Sequence, residues 1–258
     1  MKNILPAFKF YDDDTIPIGY KKITCHMIFD VKMVGLVRKA RFVAGGHLTD
    51  PPVESVYSSV VTRDSVQIMF LIAALNDLDI LGANVQNAYI NAKTTEKIYF
   101  IAGPEFGSNQ GRPCVIVRAL YGLKSSGARW RDHMAGILRE LGFVSSKADP
   151  DVWMPKGCKP NGFFYWEYIL CYVDDILVLS HQPNITMDAI AQRVTLKPGS
   201  VKPPESYLGA DVFQVTIHDS NQDIPMKKVW AMSATEYVKR AIQEMERELA
   251  VQDAYLPK

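Results

Sequence analysis

Apolar and polar positions change period several times along the chain, and each change marks an element. Ile23, Cys25, Met27, Phe29 and Val31 alternate with mostly polar neighbours, the pattern of a half-buried strand. A turn near Gly35 leads to a second strand through Lys39-Ala40-Arg41-Phe42-Val43, giving a hairpin with exposed basic residues. Val66, Met69, Phe70, Ala73 and Ala74 share one helical face, which predicts a helix over Asp64 to Asp77 capped by Thr62 or Asp64. Ile80 to Ile90 reads as a strand, and Ile98 to Ile101 and Cys114 to Val117 as two more, joined by a Gly-rich loop. Met134, Ile137, Leu138 and Leu141 form the stripe of a helix that starts at Ser125 or Ser126 and stops at Gly142. Tyr168-Ile169-Leu170-Cys171 and Ile176-Leu177-Val178-Leu179 are apolar runs separated by an acidic pair, a β-hairpin with Asp174 and Asp175 at its turn.

Towards the C-terminus, a helix is expected over Ile185 to Val194 and short strands over Tyr207 to Ile217. Ser233-Ala234-Thr235-Glu236 reads as a capping box opening a helix with Val238, Ala241, Ile242, Met245 and Leu249 on one side. Residues 1–18 read as a loosely held leading segment. Strands and helices alternate without a Gly-rich nucleotide motif, so the predicted class is α+β with an antiparallel sheet.

Composition narrows the function classes. At 258 residues and 48% hydrophobic, the chain suits one large domain or two small ones with a substantial core. A net charge of +1 leaves nucleic-acid binding to local patches. One such patch runs from Arg112 to Arg131, where Arg112, Arg118, Lys124, Arg129 and Arg131 occur with no acid among them. Trp130, Phe163, Phe164, Tyr165 and Trp166 are candidates to stack bases, or else to pack a core or a hairpin. Cys25, Cys114, Cys158 and Cys171 are widely spaced and form no C-x-x-C pair, which argues against a zinc site or a disulfide framework and suits a reducing compartment. The histidines show no ligand spacing. No signal peptide and no apolar run of roughly 18 residues is found, so no membrane contact is expected.

Adjacent carboxylates repel, so holding Asp174 beside Asp175 needs a reason. A hard divalent cation with a phosphate substrate is one such reason. A solvated Asp-Asp hairpin turn would show the same residues.

The rest of the chain favours the first reading. Lys39-Ala40-Arg41-Phe42-Val43-Ala44-Gly45-Gly46, Tyr57-Ser58-Ser59-Val60-Val61, Asn84-Val85-Gln86-Asn87-Ala88-Tyr89, Ala119-Leu120-Tyr121-Gly122-Leu123-Lys124, Ala148-Asp149-Pro150-Asp151, Tyr172-Val173-Asp174-Asp175 and Tyr207-Leu208-Gly209 follow one another in order. Singly each is weak. Together, over roughly residues 19–215, they resemble a copia-type retrotransposon reverse transcriptase.

That resemblance implies a right-hand polymerase. Its expected parts are an N-terminal extension (1–18), fingers (19–82 and 96–124), palm (83–95 and 125–232) and a C-terminal helix that starts a thumb (233–258). It implies RNA-directed DNA synthesis with two Mg²⁺ ions, Mn²⁺ being a possible substitute, on an RNA or DNA template with primer and dNTPs. Asp174 and Asp175 would be metal ligands, with the residue at 84 as the third and Val85 completing the set. Tyr89 would gate against a 2′-hydroxyl; Arg41 and Lys39 would contact the triphosphate; Tyr121 and Gly122 would approach the nucleotide. Lys124, Arg129, Arg131 and Arg118 would bind nucleic acid. The expected setting is a cytoplasmic virus-like particle or the nucleus, with the integrase and ribonuclease H regions of a parent polyprotein not seen in this chain.

One position departs from the family pattern. Where its members carry Asp, this chain carries Asn84. An amide offers one neutral oxygen where a carboxylate offers two and a charge, so catalysis is expected to be impaired. Asp79 lies five residues away, on the opposite face of a continuous strand, and is not expected to substitute. The alternative is a non-catalytic nucleic-acid-binding relic of the same fold.

Overall fold

The computed structural model describes residues 7–12, 15–32, 36–49, 52, 56–158, 162–217 and 227–251. The strands in chain order are β1 (Phe8–Phe10), β2 (Lys21–Lys22), β3 (Cys25–Lys32), β4 (Val37–Ala44), β5 (Asp79–Asn84), β6 (Ile98–Ile101), β7 (Pro113–Ile116) and β8 (Val144–Ser145). They continue as β9 (Val152–Met154), β10 (Lys156–Cys158), β11 (Phe164–Trp166), β12 (Tyr168–Tyr172), β13 (Asp175–Ser180), β14 (Ser206–Tyr207), β15 (Ala210–Ile217) and β16 (Lys227–Ser233). The helices are α1 (Arg63–Leu75), α2 (Ala88–Asn91), α3 (Ser126–Glu140), α4 (Pro183–Ala191) and α5 (Thr235–Val251). They divide into two units, residues 1–59 with 86–141, and residues 60–85 with 142–258. The expected boundaries run differently. Residues 60–82 group with the acidic hairpin, because β5 pairs with β13. Residues 125–141 group away from it, with α3 packed on α2.

In the second unit, five antiparallel strands run in the order β5-β13-β12-β9-β8. Ile176, Leu177, Val178, Leu179 and Ser180 on β13 are all buried, as expected of an apolar central strand. Val66, Met69, Phe70 and Ala73 of α1 pack with Leu177, Leu179 and Leu170 in one core. β5 would be an open edge, but Gly82 exchanges backbone hydrogen bonds with Lys202 (2.8 and 3.1 Å) and Val85 bridges to Leu196. The loop from 196 to 202 thus covers that edge. A smaller sheet, β14-β15-β16, packs on α1 through β16, with Trp230 against Phe70.

Asp149 fixes the start of α1. Thr62 caps the helix by accepting from Ser65 N, and Asp149 Oδ2 accepts from Ser65 Oγ (2.6 Å), Thr62 N (3.0 Å) and Thr62 Oγ1 (3.2 Å). A carboxylate at a helix N-terminus also meets the favourable end of the dipole. Burial by itself raises the Asp149 pKa. The donors from Ser65, Thr62 and Asp151 outweigh it and hold the carboxyl below its ordinary value.

In the first unit, the four-stranded sheet β1-β7-β6-β2 is antiparallel except that β2 runs parallel to β6. Phe8, Phe10, Phe42, Phe100 and Phe106 form an aromatic cluster with ring centroids 5.3 to 5.8 Å apart. β3 and β4 make a separate two-stranded ribbon.

Several expectations need correction. Within the leading segment, residues 8–10 are not loosely held; Phe8 and Phe10 pair with β7 and join the aromatic cluster. The strand expected to reach Ile90 stops at Asn84, because Asn87 takes a left-handed conformation (φ 51°) and starts α2. β16 was not anticipated. α4 starts at Pro183 and ends at Ala191, earlier than expected at both ends, with Pro fitting the first turn. The capping box forms only in part: Ser233 Oγ accepts from Thr235 N (3.2 Å), while Glu236 turns to Lys239. The expected turn at Gly35 and residues 252–258 lie outside the described residues.

Replacing Asp149 with Ala removes the anchor of α1 and is expected to cost about 2–3 kcal/mol, read as a lower denaturation midpoint. A lowered folded pKa stabilises above the ordinary carboxylate range and is lost as pH falls through the folded value. The gap between parent and variant therefore closes in acid.

Candidate active site

The acidic turn is built by strand register. β12 and β13 pair so that Tyr172 faces Asp175, leaving Val173 and Asp174 as a two-residue turn. Val173 has φ 53°, the positive value a II′ hairpin turn needs at its first central residue. A β-branched side chain there stores roughly 1–3 kcal/mol of strain. Across β13, β5 pairs so that Asn84 faces Asp175. Val85 N donates to Asp174 O (2.7 Å), which ties the end of β5 to the turn itself.

The side chains follow from this register. Asn84 Nδ2 donates to Asp175 Oδ1. Asn84 Oδ1 is buried with no hydrogen-bond partner among the described residues. Lys197 N donates to Asn84 O (2.8 Å), and its ammonium lies 3.8 Å from Asp174 Oδ2. Asn84 N donates to Ser200 Oγ (3.2 Å). Burial raises the Asp175 pKa and the neighbouring Asp174 charge adds to the rise; the Asn84 amide and Lys197 oppose it, but the net shift is upward.

Asp174, Asp175 and residue 84 therefore meet as the sequence predicts, with buried Val85 adjoining them. Lys197 and Ser200 were not anticipated; they lie more than 100 residues from Asn84 and carry no local signal. Asp79 pairs with Ser180 at the far end of β5. Five residues of strand are about 17 Å, so Asp79 is excluded by distance as well as by face.

The expected nucleotide residues lie in the first unit. Tyr89 sits on α2, and its ring meets that of Tyr121 edge-on (centroids 4.9 Å apart, 64° between planes). Arg41 Cζ is 6.0 Å from the Tyr121 centroid, and its guanidinium is 3.9 Å from Asp30. Lys39 is exposed on the same ribbon, opposite Asp30. Gly122 has φ 90° and crosses the chain so closely that an added Cβ would lie 2.0 Å from Ala44 O.

The basic run does not form one solvated patch. Arg112 pairs with Asp12 (3.2 Å), Arg118 donates to Asn91 O (3.0 Å) and Lys124 donates to Thr49 O. Arg129 and Arg131 lie partly buried on α3. Trp130 is only 2% exposed and belongs to the core, so it is not placed to stack bases, whereas Phe163, Phe164 and Trp166 are exposed.

The reverse transcriptase (RNA-dependent DNA polymerase) family matches residues 8–246. This chain belongs to that family. It is 30% identical to the Retrovirus-related Pol polyprotein from transposon RE1 of Arabidopsis thaliana, over 62% of this chain and 11% of that protein. It is 29% identical to the corresponding RE2 polyprotein of Arabidopsis thaliana over the same shares. With the Pol polyprotein from transposon TNT 1-94 of Nicotiana tabacum it shares 24% identity over 88% of this chain and 17% of that protein. The copia-type resemblance is borne out, and the chain spans a small part of the length of these Pol polyproteins. Among the described residues, no helix is long and apolar enough to cross a membrane.

A raised folded pKa means that the folded state holds the Asp175 proton more tightly than the unfolded chain does. Stability from this group therefore rises as pH falls through the folded value. With chelator present, Asp175→Asn is expected to be slightly more stable than the parent at neutral pH, by less than about 1 kcal/mol because solvent screens a partly exposed turn. Thermal denaturation at several pH values should show that advantage shrinking in acid.

Proposed function

We propose that this chain is the polymerase module of a copia-type transposon Pol polyprotein, extending a primer on an RNA or DNA template with dNTPs, and that Asn84 leaves it catalytically impaired. The observation that carries this reading is the register of β5 on β13, which sets Asn84 against Asp175 beside Asp174. In right-hand terms, the sheet holding the hairpin, with α1 and α4 packed on it, is the palm. The β3–β4 ribbon and the β1-β7-β6-β2 sheet are the fingers, and α5 begins the thumb.

The donor set suits Mg²⁺ or Mn²⁺ in kind, since hard oxygens from Asp174 and Asp175 stand beside the buried Asn84 Oδ1, which has no hydrogen-bond partner among the described residues. It is short of charge. Among the described residues no group of three or more His, Cys, Asp or Glu side chains gathers to hold a metal. When bound, such ions would activate the primer hydroxyl and neutralise the triphosphate. The protein's own residues position and select. The Asn84 amide orients the Asp175 carboxylate, and Lys197 offsets the charge of Asp174. Tyr89 excludes the 2′-hydroxyl and Arg41 and Lys39 meet the triphosphate, while Gly122, whose missing side chain makes room for Ala44 O, serves to bring Tyr121 against the ribbon. Lys124 and Arg118 are engaged by backbone carbonyls, so they are held in place within the first unit, and the exposed Lys39 of the ribbon is the more accessible cation for a phosphate backbone.

A second reading, a nucleic-acid-binding relic without catalysis, is favoured by the same missing carboxylate. Primer extension on an RNA template with Mg²⁺ separates the two, using the parent, Asn84→Asp and Asp174→Asn side by side. Asn84→Asp is expected to extend primers about 100-fold faster than the parent or more, with Asp174→Asn at background. A parent well above Asp174→Asn would show that Asn84 does not impair the site. No extension from Asn84→Asp, with primer–template binding that weakens as salt rises, would favour the relic.

A further inference from the structure

Three elements of the first unit cross at Tyr121. Upstream of it, Arg118 Nη1 donates to Asn91 O (3.0 Å) and Ala119 N donates to Ala92 O (3.0 Å), tying the segment to the end of α2. At the residue itself, Ala44 N donates to Tyr121 O (2.8 Å), tying it to the end of β4. Downstream, Gly122 and Gly46 pass so closely that a Cβ on Gly46 would lie 2.2 Å from Gly122 O. α2 carries Tyr89 and β4 carries Arg41, so the backbone crossing brings both to the Tyr121 ring. Within α2, Asn91 Nδ2 donates to Asn87 O (3.0 Å).

We propose that Tyr121 is a positioning residue of the nucleotide site, its ring holding the Tyr89 ring and the Arg41 guanidinium in one assembly. Discrimination between deoxyribonucleotides and ribonucleotides then depends on Tyr121 as well as on Tyr89. This rests on the reading of Tyr89 as the sugar gate. Edge-on ring pairs and a guanidinium over an aromatic face are both favourable contacts, and neither survives when the ring is replaced by an aliphatic group. The phenolic hydroxyl takes no part in either, so Tyr121→Phe keeps the assembly. Tyr121 is 41% exposed, so Tyr121→Leu opens no core cavity.

The test measures equilibrium binding of a dNTP and its matching NTP to the protein–primer–template complex. It compares the chain as given with Tyr121→Phe, Tyr121→Leu and Tyr121→Gln, each also in the Asn84→Asp background. Circular dichroism checks the fold of every variant, and Tyr121→Gln serves as the ringless form if Tyr121→Leu misfolds. The expected result is a dNTP preference kept by Tyr121→Phe and reduced about tenfold in the ringless variants, with primer–template affinity unchanged. If the parent prefers dNTP and the ringless variants prefer it equally, this inference fails and the gate reading stands. If neither parent nor Asn84→Asp prefers dNTP, both fail together.

Discussion

Everything at the acidic turn depends on β13 lying between β5 and β12. The strand is buried along its apolar length, so its side-chain faces are fixed by packing and its register cannot slip. A one-residue shift of β5 would turn Asn84 away from Asp175 and expose Ile80, which is 2% exposed. The hydrophobic core thus sets the distance between a carboxylate and an amide more than 90 residues apart in sequence. Strain at Val173 is sustained because the strands on both sides of the turn are held. The loop from 196 to 202 has two consequences: it pairs the outer edge of β5 and it carries Lys197 to Asp174.

The first unit works by a different constraint, close approach of backbone. Two glycines let the 44–46 and 121–123 segments cross at distances that no side chain would allow. That crossing assembles Tyr89, Tyr121 and Arg41 from α2, a turn and the ribbon. Here precision comes from tight hydrogen-bonded backbone, with the aromatic cluster of Phe8, Phe42, Phe100 and Phe106 supporting the ribbon from one side.

Much of this was legible in sequence. Two apolar runs around Tyr172-Val173-Asp174-Asp175 announced the hairpin, and the order of motifs placed residue 84 beside it. The helices α1 and α3 followed from 3.6-residue stripes that matched their buried faces. What was hidden was long-range or conformational. Nothing local marks Lys197 as the partner of Asp174, or Phe8 as a strand residue. Asn87 looks like any polar strand residue until its left-handed φ turns Tyr89 onto a helix. The basic run read as a surface patch because sequence shows charge but not the carbonyls of Asn91 and Thr49 that engage it. Asp149, recognised only as part of a motif, proved to be the anchor of α1.

In the proposed reading, the charge of one side chain, residue 84, decides how well this turn holds divalent ions. The most direct measurement is Mn²⁺ binding to the free protein, followed by electron paramagnetic resonance, in the parent and in Asn84→Asp. The parent is expected to bind weakly and Asn84→Asp at least about tenfold more tightly, with binding abolished when Asp174→Asn is added. Equal affinity in parent and Asn84→Asp would contradict it, because the register that brings residue 84 to Asp175 would then have no bearing on the metal.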